Sequence, residues 1–91
     1  MSDVENWNRL DEILYRADDG LTVYVYRVNK LGRRQGKYLL RTYPHPGLLD
    51  TLRDEYGGGD FSILIRDGNT MVLSGNFSIE GIRNQPQKWS W

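Results

Sequence analysis

Two hydrophobic periods take turns along this chain. Between Ser2 and Arg16, Trp7, Leu10 and Leu14 fall three and four apart with Ile13 beside them, the spacing of one helix face. Ser2 followed three residues later by Glu5 reads as a capping box, and Asp18-Asp19-Gly20 stops the segment, which predicts a short N-terminal helix. Leu21–Val28 is β-branched and aromatic and predicts a strand. Asn29–Gly36 is a polar, glycine-punctuated loop. Lys37–Tyr43 predicts a second strand, the antiparallel hairpin partner of the first. Pro44 and Pro46 end it, since neither can donate to a ladder.

The second half repeats that order. Leu48, Leu49, Leu52 and Tyr56 form the apolar stripe of a helix of two to three turns. Three glycines, Gly57–Gly59, follow it. Phe61, Ile63 and Ile65 then alternate with Ser62, Leu64 and Arg66, and Asp67–Thr70 supplies a hairpin turn. Met71, Leu73, Phe77 and Ile79 run in phase in the last strand, with Gly75 among them marking a bulge or a close backbone approach. Helix, two strands, helix, two strands and a tail make an α+β fold. The expectation is a small single domain over residues 1–83, with about four mostly antiparallel strands in two β-hairpins around a central helix. Helices are expected on one face, and residues 84–91 form an aromatic C-terminal tail.

Triple glycine costs backbone entropy and so needs a reason. A phosphate-binding glycine loop runs from a strand into a helix N-terminus. Here the order is reversed: Gly57–Gly59 follow a helix C-terminus, where the dipole is negative, and Asp54, Glu55 and Asp60 surround them. The glycines therefore predict a corner, with the first in the left-handed conformation that ends helices.

This corner and the strands after it carry a family likeness. A helix, then Tyr56-Gly57-Gly58-Gly59, then Phe61 in an alternating strand, then Asp67-Gly68, then a last strand ending Phe77-Ser78-Ile79, resembles a segment of small proteins of tailless bacterial viruses and related mobile elements. The likeness spans roughly residues 46–81. It implies a phage setting, in a virion or its assembly, and a location in the host cytoplasm or the virion rather than secretion. The matched positions are turn and core, so it implies no catalytic residue.

Composition and charge narrow the chemistry. The chain has 91 residues, 38% hydrophobic and 26% charged, and no cysteine, so disulfides, thiolate metal sites and a cysteine nucleophile are excluded. No apolar run approaches the roughly 18 residues of a membrane span. The start is acidic and polar, unlike a secretory signal. Formal net charge is zero, but it is unevenly placed. Residues 1–20 hold six acids against Arg9 and Arg16; residues 20–49 hold Arg27, Lys30, Arg33, Arg34, Lys37 and Arg41 and no acid. That basic block can meet an external anion, this chain's own acidic start, or that of another copy.

Lys30, Arg33, Arg34, Lys37 and Arg41 are the candidate nucleic-acid contacts. They sit on or beside the expected hairpin tip, and Tyr24, Tyr26, Tyr38 and Tyr43 flank them. Outward tyrosines would offer stacking surfaces, and a basic two-stranded ribbon can enter a major groove. If the tyrosines are core instead, the block is a solvated loop. In a regular strand Tyr38 would share a face with Leu40, and Tyr43 with Lys37 and Arg41. Trp89 and Trp91 are the candidate partner-binding residues, placed on one side of an extended tail.

Nothing points to catalysis, a metal, a cofactor or a small-molecule substrate. His45 is the sole histidine and stands between two prolines. Asp11/Glu12, Asp18/Asp19 and Asp54/Glu55 are sequence neighbours, which point apart on a helix. Ser62, Ser74 and Ser78 fall at the polar phase of their strands, the expected outer face. The leading expectation is a non-catalytic, phage-type binding or assembly protein acting through protein–protein contacts or self-association. The alternatives are a small nucleic-acid-binding protein using the 30–41 hairpin, and a phage inhibitor of a host protein that uses the acidic helix.

Overall fold

The computed structural model describes residues 2–80, with side chains from Val4 onward; Met1 and residues 81–91, and with them Trp89, Trp91 and the expected tail, lie outside the described residues. Six elements follow in order: α1 (Ser2–Arg16), β1 (Thr22–Arg27), β2 (Leu40–Thr42), α2 (Leu48–Asp54), β3 (Gly59–Asp67) and β4 (Thr70–Ile79). The strands make one antiparallel sheet in the order β2-β1-β3-β4. The fold is the expected α+β one, with two hairpins joined edge to edge through β1 and β3 and α2 as the connection between them.

Period-two alternation sorts the sheet into two faces. Val23 and Val25 of β1, Phe61, Ile63 and Ile65 of β3, and Leu73 and Phe77 of β4 point to one side. There they form a single buried cluster with Leu10 and Leu14 of α1 and Leu48 and Leu52 of α2. Both helices lie on this inner face. Trp7 adds an edge-to-face contact, its ring 4.9 Å from that of Phe77. Gly75 also faces inward, opposite Ile63. A Cβ there would come 3.4 Å from the Phe77 ring and 3.5 Å from the Asn6 side chain, so this glycine marks the close approach of α1. The bulge lies elsewhere. Leu73 pairs with Ile65 but Met71 with Arg66, which leaves Val72 as the extra residue. The expected phase therefore fails at Met71, which turns outward and is exposed while Leu73 and Phe77 are buried.

The helix ends are specific. α1 stops at Ala17, a non-glycine residue with φ +53, whose N–H still reaches the Ile13 carbonyl at 3.2 Å. Asp18 then accepts a hydrogen bond from the Gly20 N–H at 2.9 Å and turns the chain into β1. After α2 the three glycines adopt φ of +77, +71 and +115, and the Gly58 N–H closes back on the Leu52 carbonyl. The corner is held from within by Arg27, which follows Val23 and Val25 on the inner face of β1. Its guanidinium donates to the Gly58 and Tyr56 carbonyls at 2.8 and 3.0 Å and lies 4.6 Å from the centre of the Phe61 ring. A cation thus satisfies carbonyls just beyond a helix C-terminus, where the dipole favours it.

One element departs from its expectation. The second strand, predicted over Lys37–Tyr43, is only Leu40–Thr42. Gln35 bonds to the Arg27 carbonyl and Leu39 to the Val25 carbonyl, so the chain touches β1 twice before pairing. Between those contacts Gly36, Lys37 and Tyr38 leave the ladder, and Tyr38 packs on Tyr24 and Tyr26 instead.

Two stability changes follow. Ala17→Gly removes left-handed strain at the end of α1 and is expected to raise unfolding free energy by about 1 kcal/mol in chemical denaturation. Arg27→Ala strips two part-buried carbonyls of their donor and is expected to lower it by about 2–3 kcal/mol, with the midpoint shifting and the denaturant slope unchanged.

Candidate nucleic-acid interface

Alternation that buries Val23 and Val25 must turn Tyr24 and Tyr26 to the outer face. Among the described residues no helix covers that face. What lies on it is the loop from Val28 to Leu39. Asn29 builds the tip: its Oδ1 accepts hydrogen bonds from the N–H groups of Leu31 and Arg33, and its own N–H donates to the Arg33 carbonyl. Arg34 then bridges back to Val28 beside β1.

Two side-chain bonds fasten this loop across the sheet. Asn76 of β4 donates to the Gly32 carbonyl at 3.2 Å, and the Arg34 Nε donates to the Ser62 Oγ of β3 at 3.1 Å. Ser62, expected to be an exposed outer-face serine, is buried at 4% exposure because Arg34 closes over it. The loop is therefore a strap laid on the sheet, and the two-stranded basic ribbon expected from the sequence does not form. Ribbon and strap differ because the pairing that Lys37 and Tyr38 were assumed to share is given up to the tyrosine cluster, while Leu39 still donates to the Val25 carbonyl.

The strap and β2 bring the cations onto the tyrosines. Tyr38 meets Tyr24 edge to face at 5.3 Å and Tyr26 at 6.3 Å. The Arg34 guanidinium carbon stands 4.6 Å from the centre of the Tyr26 ring. Arg41, paired directly opposite Tyr24, stands 5.8 Å from the centre of that ring. Lys30, Arg33 and Lys37 are exposed along the strap. All five candidate cations thus gather on the outer face or its strap. Among the described residues none of them is in an ion pair. Tyr38 shares this face with Tyr24, not the inward face of Leu40.

Beside Arg41 the sheet corner opens into a shallow cleft of about 440 Å³, lined by Asp19, Leu21, Thr22, Arg41, Thr42 and Tyr43. It joins the start of β1 to the end of β2. Its lining includes one arginine, one aspartate, two threonines and the exposed Tyr43.

The helix layer on the other side has the opposite sign. Glu5, Asp11, Glu12, Asp50, Asp54 and Glu55 are all exposed there. Their partners are local: Glu12 pairs with Arg16 at 2.8 Å, and Arg53 reaches Asp54 at 2.8 Å and Asp50 at 3.2 Å. The hydrogen bond from Arg53 holds the Asp54 carboxyl below the usual carboxylate range, and the same bond raises Arg53. The sheet separates the acids of α1 from the basic block; of the acidic start, Asp19 meets that block in the cleft beside Arg41.

The remaining sequence candidates are accounted for by position. Arg27 belongs to the core corner and not to the basic surface. His45 is half-buried in the turn before α2, where its carbonyl accepts the Leu48 N–H. Among the described residues no cluster of acids and histidine could hold a metal, and no helix is long and apolar enough to cross a membrane. From the sequence Ser62 is an outer-face serine and Asp19 one of two adjacent acids; neither they nor Asn76 is marked there as part of a site. Ser62 is 28 positions from Arg34 and Asn76 is 44 from Gly32, and no local pattern reports such pairs. Comparison with family models, curated proteins and solved structures finds no match to this chain.

Proposed function

We propose that this chain is a small, non-catalytic nucleic-acid-binding protein that takes its ligand on the outer face of the sheet. One observation carries the reading: Tyr24, Tyr26 and Tyr38 form a cluster, with Arg34 and Arg41 beside two of its rings, on the face without a helix. Interleaved cations and aromatic rings suit a ligand that is both a polyanion and a stack of flat bases. Lys30, Arg33 and Lys37 extend the positive surface along the strap. Cations without internal partners are available to displace counterions from phosphates, which is where sequence-independent affinity comes from. Overall neutrality is compatible with the reading, because Glu5, Asp11, Glu12, Asp50, Asp54 and Glu55 are on the far side of the sheet, and the strap side carries fewer acids, Asp19 and Asp60 among them. Assembly through protein–protein contacts of Trp89 and Trp91 is the second reading.

The test is a fluorescence titration of labelled oligonucleotides at several salt concentrations. Binding is expected at about 50 mM salt and to weaken steeply as salt rises. The triple variant Lys30→Ala, Arg33→Ala, Lys37→Ala removes exposed groups that hold no hydrogen bond. It is expected to reduce the slope of log K against log salt by up to about two, at roughly 0.7 per lost single-strand phosphate contact. Absence of salt-sensitive binding in the unmodified protein overturns the proposal.

A further inference from the structure

Resting on that reading, the structure assigns the ligand class more narrowly: we infer a single strand, laid lengthwise along β1 with its bases on the tyrosines and one nucleotide seated in the Arg41–Tyr43 cleft.

Duplex recognition needs an element that enters a groove, a helix or a two-stranded ribbon. Among the described residues the basic side presents neither. Both helices lie on the other face and carry Glu5, Asp11, Glu12, Asp50 and Asp54. The would-be ribbon is tied to the sheet by Asn76 and by Arg34 on Ser62. A cylinder resting on such a face would touch it with few phosphates and would leave the rings unused.

A single strand uses them. The outer positions of β1 run Tyr26, Tyr24, Thr22 at two-residue steps, a path of about 14 Å with Tyr38 leaning over its first half. Arg41 stands beside Tyr24 at the middle of that path, and Tyr43 at its end beside Thr22. Unstacked bases can lie on half-exposed tyrosine rings: Tyr38 is 43% and Tyr43 59% exposed.

The cleft sets the polarity of its occupant. Its volume, about 440 Å³, is within the range of small-ligand sites. Arg41 attracts a phosphate and Asp19 repels one. The phosphate therefore goes to the Arg41 side, the base to the Tyr43 ring, and a sugar hydroxyl or base amino group donates to Asp19. Thr22, at the outer parity of β1, adds a hydroxyl to the same wall.

The experiment titrates the full-length protein with one labelled oligonucleotide, single-stranded and annealed to its complement, at one salt concentration. The expected result is single-strand binding at least tenfold tighter than duplex binding. Tyr43→Ala and Tyr38→Ala are each expected to weaken single-strand binding about fivefold or more, with the salt slope unchanged. Tyr38→Phe keeps the stacking face and is expected to bind normally. That variant, with far-ultraviolet circular dichroism of each protein, separates lost stacking from lost structure. Duplex binding as tight as single-strand binding overturns the inference, and so do folded Tyr38→Ala and Tyr43→Ala proteins with unchanged affinity. In both cases salt-sensitive binding would leave the proposed function standing. No binding of either nucleic acid overturns both.

Discussion

Unbroken register between β1 and β3 is the constraint on which the rest depends. Six consecutive pairs, from Thr22 with Arg66 to Arg27 with Phe61, join the two hairpins at the centre of the sheet. Because strand side chains alternate, that one register decides both faces together. Val23 and Val25 meet Ile65 and Ile63 over the core, and Tyr24 and Tyr26 are thereby committed to the outer side. A slip of one residue would bury two tyrosines under the helices and expose two valines. The outward turn of Tyr24 and Tyr26 is a by-product of the core's own pairing, and only the strap beside them needs bonds of its own, from Asn76 and Arg34.

The six cations between Arg27 and Arg41 are divided by geometry into three kinds. Arg27 falls on the inner parity of β1 and closes the glycine corner. Arg34 and Arg41 fall where their guanidinium groups reach tyrosine rings, and Arg34 also ties the strap to Ser62. Lys30, Arg33 and Lys37 stand in solvent on the strap. Sequence distance does not separate these kinds, since all six lie between positions 27 and 41. What separates them is parity along β1 and the point at which the chain leaves the ladder.

Much of the fold was legible because its elements are strongly periodic. The stripe of Leu10 and Leu14, the alternation of Phe61, Ile63 and Ile65, and the glycines after α2 are local signals, and each element formed where its pattern placed it. Lys37–Tyr43 misled because β-branched and aromatic content is only a weak preference for strand. Tyr38 finds two aromatic neighbours on the outer face, and a contact made by tertiary packing outweighs three residues of edge pairing. Met71 misled because a bulge shifts every residue beyond it by one, and a bulge at Val72 leaves no mark in composition. The basic block and its tyrosines were visible as a candidate, but whether the rings turned outward was not, since either parity of β1 is apolar enough to be core. Only the register with β3 resolves that choice.

The separation of charge by the sheet has a consequence for how the molecule behaves at a distance. Its formal net charge is zero, yet among the described residues six exposed acids, from Glu5 to Glu55, populate the helix side and unpaired cations the strap side, where Asp19 and Asp60 offset them only in part. Such a body does not drift in a uniform field; it turns. A negatively charged rod or bead draws it strap first, and a positively charged one draws it helices first, so its retention on an ion exchanger follows orientation and not the charge total. Rotation before contact also shortens the search for a productive encounter, and added salt removes that advantage over distances beyond about 10 Å.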